Sequence, residues 1–226
     1  MMIVSGLQRP PLSRTAAWRE VALTAGVLWL VLGGACFFLG AQSIYDRWGT
    51  SLNAAFVLDI VFLIGCLAVI VFVLWRQHRQ GEGIAELGWG RPVRTPVIVI
   101  AVVYGLAWTA MSYMRGGDPL AFPWQRPIMM AIGLVLAFAE EIAVRGLILD
   151  RLARCGTSRI IQIVVTAGIM AVYHGVVGHS VWPSYMVSSF VLFGVLSVIY
   201  VYGGRSLTPV FIAHAMTHFL GDPDLM

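Results

Sequence analysis

The chain has 226 residues, of which 59% are hydrophobic and only 12% are charged. Its mean hydropathy of +0.83 excludes the soluble globular class and indicates an integral membrane protein. The net charge of +4 comes from fifteen arginines and no lysine. These arginines are spread along the segments between apolar runs, as positive-inside sorting would place them, so no nucleic-acid partner is expected.

Apolar runs divide the first half of the chain. Residues 1–20 form a polar leader, which we expect to be cytoplasmic. The uncharged run 21–39 can span a bilayer, and it exceeds the apolar core of a cleaved signal, which has about 7–15 residues. A second span is predicted at 54–75. The polar connection 76–95 follows, and its Trp89 is expected in the headgroup zone.

The second half continues the same pattern. The predicted helices are 96–114, about 127–154, 160–177, 182–202 and 207–220. Gly156 follows the long fourth helix, as is usual just past a helix C-terminus. The last helix is shorter than the usual span of about 20 residues, so it crosses the membrane only if tilted or is re-entrant. The sequence therefore predicts an all-α fold, a polytopic membrane bundle of about seven helices.

The arginines also orient the bundle. Outside the spans, eleven fall in the leader and in alternate loops, whereas three fall in the other loops. The positive-inside rule therefore predicts a cytoplasmic N-terminus in a multi-pass protein. The use of arginine alone suggests a GC-rich bacterial coding sequence, and hence the inner membrane of a bacterial cell.

Two adjacent carboxylates and an arginine interrupt the fourth helix at Glu140, Glu141 and Arg145. A charge at the bilayer centre costs roughly 2.5 to 3.5 kcal/mol, so such residues are rare unless paired or functional. Glu141 and Arg145 lie four residues apart and are predicted to form an ion pair. Glu140 is left to face a polar cavity and act as a base. The alternative is a helix-end charge cluster at the membrane surface.

Four of the five histidines lie in the last quarter of the chain. His174 falls within the fifth helix, and His214 and His218 share one face of the last helix. Histidine in a span usually faces a wet interior, so these three and the glutamate indicate one polar chamber. His179, at the end of a span, is expected in a loop.

Three motifs occur in order along residues 85–220: EExxxRG at Glu140, MxxxH ending at His174, and GRSLxPxxxxHxxxH, which contains His214 and His218. This pattern resembles the CAAX-processing and bacteriocin-immunity intramembrane proteases, also called the abortive infection family. Together with the apolar runs, the resemblance divides the chain into a leader at 1–20, two transmembrane helices and the start of a cytoplasmic loop at 21–84, and a protease core at 85–226.

The resemblance also implies roles for these residues. Glu140 and His174 would hold and activate water, Glu141 and Arg145 would order the site, and His214 would stabilise the oxyanion. The sequence departs from the family pattern at two positions. Met170 replaces the usual phenylalanine of the second motif. His218 replaces the usual asparagine or aspartate, so its assignment to the oxyanion is weaker.

Two chemistries remain open at this stage. Desolvation can make Glu140 a competent base and later acid, with His214 and His218 donating to the oxyanion and no cofactor. Alternatively, Glu140, His174, His214 and His218 could hold zinc. The HExxH arrangement of many zinc proteases is absent, so we favour metal-free hydrolysis.

The leading interpretation is an intramembrane endopeptidase, with lipid and a peptide or membrane-associated protein as its partners. A prenylated CAAX substrate is implied by the resemblance, whereas a bacterial source favours unprenylated peptides. A non-proteolytic immunity or scaffold protein is the alternative from another class. A small proton-coupled carrier is a third reading, but the chain lacks the repeated halves that many transporters show.

Overall fold

The computed structural model describes residues 11–35, 52–114, 123–177 and 182–220. In these ranges the chain forms helices and no strands, which confirms the predicted all-α membrane bundle. In chain order the helices are α1 at Arg14–Val27 with a π-helical continuation at Leu28–Ala35, α2 at Leu52–Arg79, α3 at Thr95–Met114, α4 at Arg126–Glu141 with a π-helical continuation at Ile142–Leu149 and an α-helical end at Asp150–Arg154, α5 at Arg159–Val177, α6 at Trp182–Tyr202 and α7 at Leu207–Phe219.

Four helices of the described chain are long and apolar enough to cross a membrane. They are Arg14–Gly34, Phe56–Arg79, Arg126–Arg154 and Pro183–Tyr202. The apolar stretches Thr95–Met111 and Arg159–Gly175, in α3 and α5, are shorter. The protein is therefore an integral membrane protein. His179 and the end of the first predicted span lie outside the described residues.

The first helix begins at Arg14 rather than at Val21, where the apolar run starts. The cause is Ser13, whose side chain accepts a hydrogen bond from the Ala16 N–H at 3.2 Å and caps the helix. Capping groups act on the backbone whatever the polarity of the first turn. The helix therefore extends into the segment that the sequence predicts as a polar leader.

Helix α4 lies at the centre of the bundle and contacts α2 along one side and α7 along another, while α5 packs along α6. A buried polar cluster joins the ends of α2 and α4. Arg151 is fully buried and donates to Gln77 at 2.8 Å, to Asp150 at 2.8 Å and to Glu82 at 3.2 Å. Because a buried guanidinium needs such partners, this cluster fixes the register of α2 against α4.

The segment Leu87–Trp89 packs against helices α4 and α7. Leu87 is fully buried, and a Cβ added at Gly146 of α4 would lie 3.0 Å from its side chain. Trp89 makes edge contacts with Phe138 of α4 and Phe211 of α7, at centroid distances of 5.3 and 5.4 Å. The segment is therefore part of the core that supports both helices.

Candidate active site

The predicted pair of Glu141 and Arg145 is formed and lies in the interior. Nη1 of Arg145 donates to Oε1 of Glu141 at 2.9 Å, and the two side chains are 0% and 1% exposed. Nη2 of Arg145 donates to the carbonyl oxygen of Phe193 on α6 at 2.8 Å. These contacts exclude the helix-end surface cluster for this pair, because a surface cluster would face water or headgroups.

His214 joins α7 to the same carboxylate. Its Nδ1 lies 2.9 Å from Oε1 of Glu141, and because a carboxylate oxygen accepts, Nδ1 must carry the proton. Glu141 is thus shared by an arginine of its own helix and a histidine of another. The other ring nitrogen, Nε2, points towards Glu140, with Oε2 of that carboxylate 3.8 Å away.

Glu140 is 2% exposed, so it faces the protein and not lipid. The Tyr173 side chain of α5 lies near its carboxylate. Oε2 is buried without a hydrogen-bond partner in the part of the chain that the structure describes. A gap of 3.8 Å to an imidazole nitrogen exceeds a hydrogen bond but can be bridged by one small polar group.

His174 lies on α5, one residue after the tyrosine that contacts Glu140. Its Nδ1 is 3.0 Å from the carbonyl oxygen of Met170. A carbonyl only accepts, so Nδ1 carries a proton and Nε2 of the neutral ring is an acceptor. Among the described residues no hydrogen bond joins His174 to Glu140. Tyr173, the residue before His174 on α5, lies between them: its side chain is near Glu140, and its ring contacts the His174 ring.

The side chain of Phe193 holds the histidines in place. Its ring centroid lies 5.0 Å from that of His174 and 5.1 Å from that of His214. The Arg145 guanidinium lies over the same ring at 5.0 Å. One aromatic ring therefore positions the basic groups of three helices.

His218 lies one turn beyond His214 on α7, and the two ring centroids are 5.1 Å apart. A Cβ added at Gly133 of α4 would lie 2.5 Å from the Cβ of His218. The glycine therefore allows α7 to approach α4 closely at this level. His218 extends the polar cluster without touching either glutamate in the described structure.

Six residues singled out from the sequence thus fall into two groups. Glu140, Glu141, Arg145 and His214 form one contact network, whereas His174 and His218 lie beside it and reach it through ring contacts. Sequence reasoning assigned no role to Tyr173 or Phe193. The sequence does contain a feature that points to Tyr173, because this tyrosine directly precedes a histidine within a span. Phe193 has none, because it lies in a uniformly apolar run.

A zinc site would require four donors at about 2 Å from one ion. In the described ranges no group of three or more His, Cys, Asp or Glu side chains is arranged to hold a metal. Nδ1 of both His174 and His214 donates to oxygen, so only Nε2 of each ring is left to bind a metal. The side-chain positions do not fit the tetradentate alternative, and we derive no step through a metal.

The fold and this network define a class: a helical membrane protein with glutamate, arginine and histidine side chains gathered in its interior. Residues 122–220 match the family model described as type II CAAX prenyl endopeptidase, Rce1-like. This part of the chain is similar to the CAAX protease family. The matched segment spans α4 to α7 and includes the whole network, and it supports an intramembrane endopeptidase of the CAAX-protease type as the general activity. No match was found among curated proteins or among solved structures.

Proposed function

We propose that this protein cleaves a peptide bond of a membrane-associated peptide or protein, with Glu140 as the general base. The observation that carries the proposal is the Oε2 atom of Glu140. It is buried, has no partner in the described chain and lies 3.8 Å from Nε2 of His214. An ionisable oxygen held in this way is poised for proton transfer rather than for structure.

The hydrolysis would proceed in two steps. A water held by Glu140 and by Nε2 of His174 loses a proton to Glu140 as its oxygen adds to the substrate carbonyl carbon. The resulting oxyanion receives hydrogen bonds from His214 and His218. Glu140 then returns the proton to the leaving nitrogen as the carbon–nitrogen bond breaks, which gives a carboxylic acid and an amine.

The Glu141 carboxylate has a defined part in this scheme. Nδ1 of His214 already donates to Glu141 at 2.9 Å, so Nε2 can donate to an oxyanion only when the ring carries both protons. The Glu141 carboxylate accepts the Nδ1 proton of that ring, while Arg145 fixes the carboxylate from the other side. Removing a single oxyanion donor typically lowers kcat by about 100 to 1,000-fold.

The test compares wild-type protein in detergent with Glu140→Gln and His174→Ala on a peptide library. We expect cleavage by the wild type and its loss in both variants, with helical content and thermal unfolding unchanged. Glu86→Gln and His78→Ala are matched controls outside the network and should cleave normally. Cleavage by Glu140→Gln at the wild-type rate would refute the assignment.

Metal dependence is tested on the same preparation. Metal-free hydrolysis predicts full activity after chelator treatment and no stoichiometric zinc. Activity that is lost to a chelator and restored by zinc would overturn that mechanism. Protection from a toxin that is unaffected by either variant, without any cleavage, would favour the immunity or scaffold function.

A further inference from the structure

Arg205 has an unusual backbone for its residue type. It follows α6 and adopts φ of +56°, and within the described ranges it is the sole residue other than glycine with a positive φ. Glycine would adopt this conformation without a penalty, whereas a Cβ makes it unfavourable. Strained positions of this kind cluster at functional sites. What arginine adds here is its guanidinium.

That guanidinium is only partly satisfied by the protein. Nη2 donates to Oε1 of Gln162 on α5 at 2.7 Å, and the group lies 5.9 Å from the centroid of the Tyr200 ring. Nη1 has no acceptor among the described residues. The side chain as a whole is half-buried, so one edge of the group is enclosed and the remainder reaches the surface.

Two further arginines converge on Arg205. Nη1 of Arg91 donates to the Arg205 carbonyl oxygen at 3.3 Å. Arg159 begins α5 and lies over the Tyr202 ring at 5.3 Å. Burial lowers the pKa of Arg205, and the positive charges of Arg159 and Arg91 act in the same direction against the opposing effect of Tyr200 and Asp150. The three guanidinium groups therefore share one electrostatic environment.

No carboxylate pairs directly with these three arginines in the described chain. Asp150, the nearby acid, is already paired with Arg151 at 2.8 Å. A group of positive charges without a counter-ion attracts an anion, and the planar fork of arginine matches phosphate oxygens.

The apolar surface beside the cluster identifies the source of that anion. Ile160, which follows Arg159 in sequence, is 71% exposed. Tyr202, whose ring lies under the Arg159 guanidinium, is 61% exposed. Apolar side chains facing outward at a helix end, with an aromatic and an arginine beside them, mark headgroup depth. Basic pockets between transmembrane helices bind anionic headgroups. We propose that Arg91, Arg159 and Arg205 bind the phosphate of an anionic phospholipid.

The test uses Arg205→Gly and Arg159→Gln, alone and together, with Arg79→Gln as the matched control. Arg79 is exposed at the end of α2 and lies over the Trp75 ring at 5.2 Å, much as Arg159 lies over Tyr202. Because glycine adopts a positive φ freely, Arg205→Gly should fold at least as well as the wild type. Thermal unfolding checks this point.

Native mass spectrometry then measures binding of phosphatidylglycerol and of phosphatidylcholine in detergent. We expect tighter binding of phosphatidylglycerol, weakened about fivefold by each single change and further by both. Phosphatidylcholine binding and the Arg79→Gln variant should show no such loss. Equal phosphatidylglycerol binding by the wild type and the double variant would overturn the proposal, as would an equal loss in Arg79→Gln.

Two further arms separate the sources of the anion. Inorganic phosphate should compete only at far higher concentration than the lipid, because it lacks the acyl chains. Competition at similar concentration would mean a free-anion site and would refute the lipid assignment. A peptide with a free C-terminal carboxylate should not displace the lipid, and displacement that depends on Arg159 and Arg205 would assign the cluster to a peptide instead. If Arg205→Gly does not fold, the lipid binding measured for Arg159→Gln decides the outcome alone, because Arg159 is exposed.

Discussion

The change Arg145→Met tests how much the buried ion pair contributes to stability. Methionine fills a similar volume but removes both the donation to Glu141 at 2.9 Å and the donation to the Phe193 carbonyl at 2.8 Å. It leaves Glu141 as a buried charge with only His214 as a partner. Breaking a buried pair on one side typically costs about 3–5 kcal/mol, and we expect a loss of that size.

The double variant Glu141→Gln with Arg145→Met separates charge burial from packing. An uncharged pair of similar volume should recover most of the lost stability, to within about 1–2 kcal/mol of the wild type. Activity should not recover, because no carboxylate then faces Nδ1 of His214. Unfolding is measured by SDS titration in mixed micelles, followed by circular dichroism.

The pair between Arg76 and Glu20 supplies the control. Its side chains are 20% and 14% exposed, so Arg76→Met should lower the free energy of unfolding by about 1 kcal/mol or less. A loss for Arg145→Met that is no larger than this control would refute the reasoning. A double variant less stable than Arg145→Met alone would refute it as well.

Three other predictions follow from single contacts. Tyr173→Phe removes the hydroxyl of the side chain that lies near Glu140 and should lower kcat more than it raises KM. Peptide cleavage kinetics measure this, and an unchanged kcat would contradict it. Gly133→Ala places a Cβ 2.5 Å from the Cβ of His218 and should destabilise the bundle by about 1–3 kcal/mol. An unfolding midpoint in SDS equal to that of the wild type would contradict this, because it would mean that α7 can move away from α4 without a loss of stability. Arg151→Met removes the buried donor that Gln77, Glu82 and Asp150 share and should lower the unfolding midpoint with little effect on the specific activity of folded protein. A selective loss of activity would count against a structural role.

The contact between Glu141 and Arg145 shows what helical spacing can predict. Both side chains belong to one helix, so a separation of four residues brings them together whatever the rest of the chain does. The pair is present even though the helix continues as a π-helical segment from Ile142. The contact of Glu141 with His214 required a second helix, and the sequence predicted only that histidines would share a chamber with the glutamates.

The position of His174 illustrates the limit of that reasoning. The sequence predicts this histidine beside Glu140, whereas the residue of α5 that lies near Glu140 is its neighbour Tyr173. Adjacent residues on a helix point about 100° apart, so the rotation of α5 about its axis decides which side chain faces the carboxylate. Nothing in the local pattern fixes that rotation.

The sequence by itself determined that the chain is a membrane protein, where its helices fall and which ionisable groups lie inside them. These properties depend on the length of apolar runs and on spacing within one helix, which are local. The tertiary structure alone decided that Phe193 contacts Arg145 and two histidines, that Leu87 packs against Gly146, and that two arginines distant in sequence lie near Arg205. Those contacts depend on how each helix is rotated and how closely it approaches its neighbours, which is settled only when all the helices pack together.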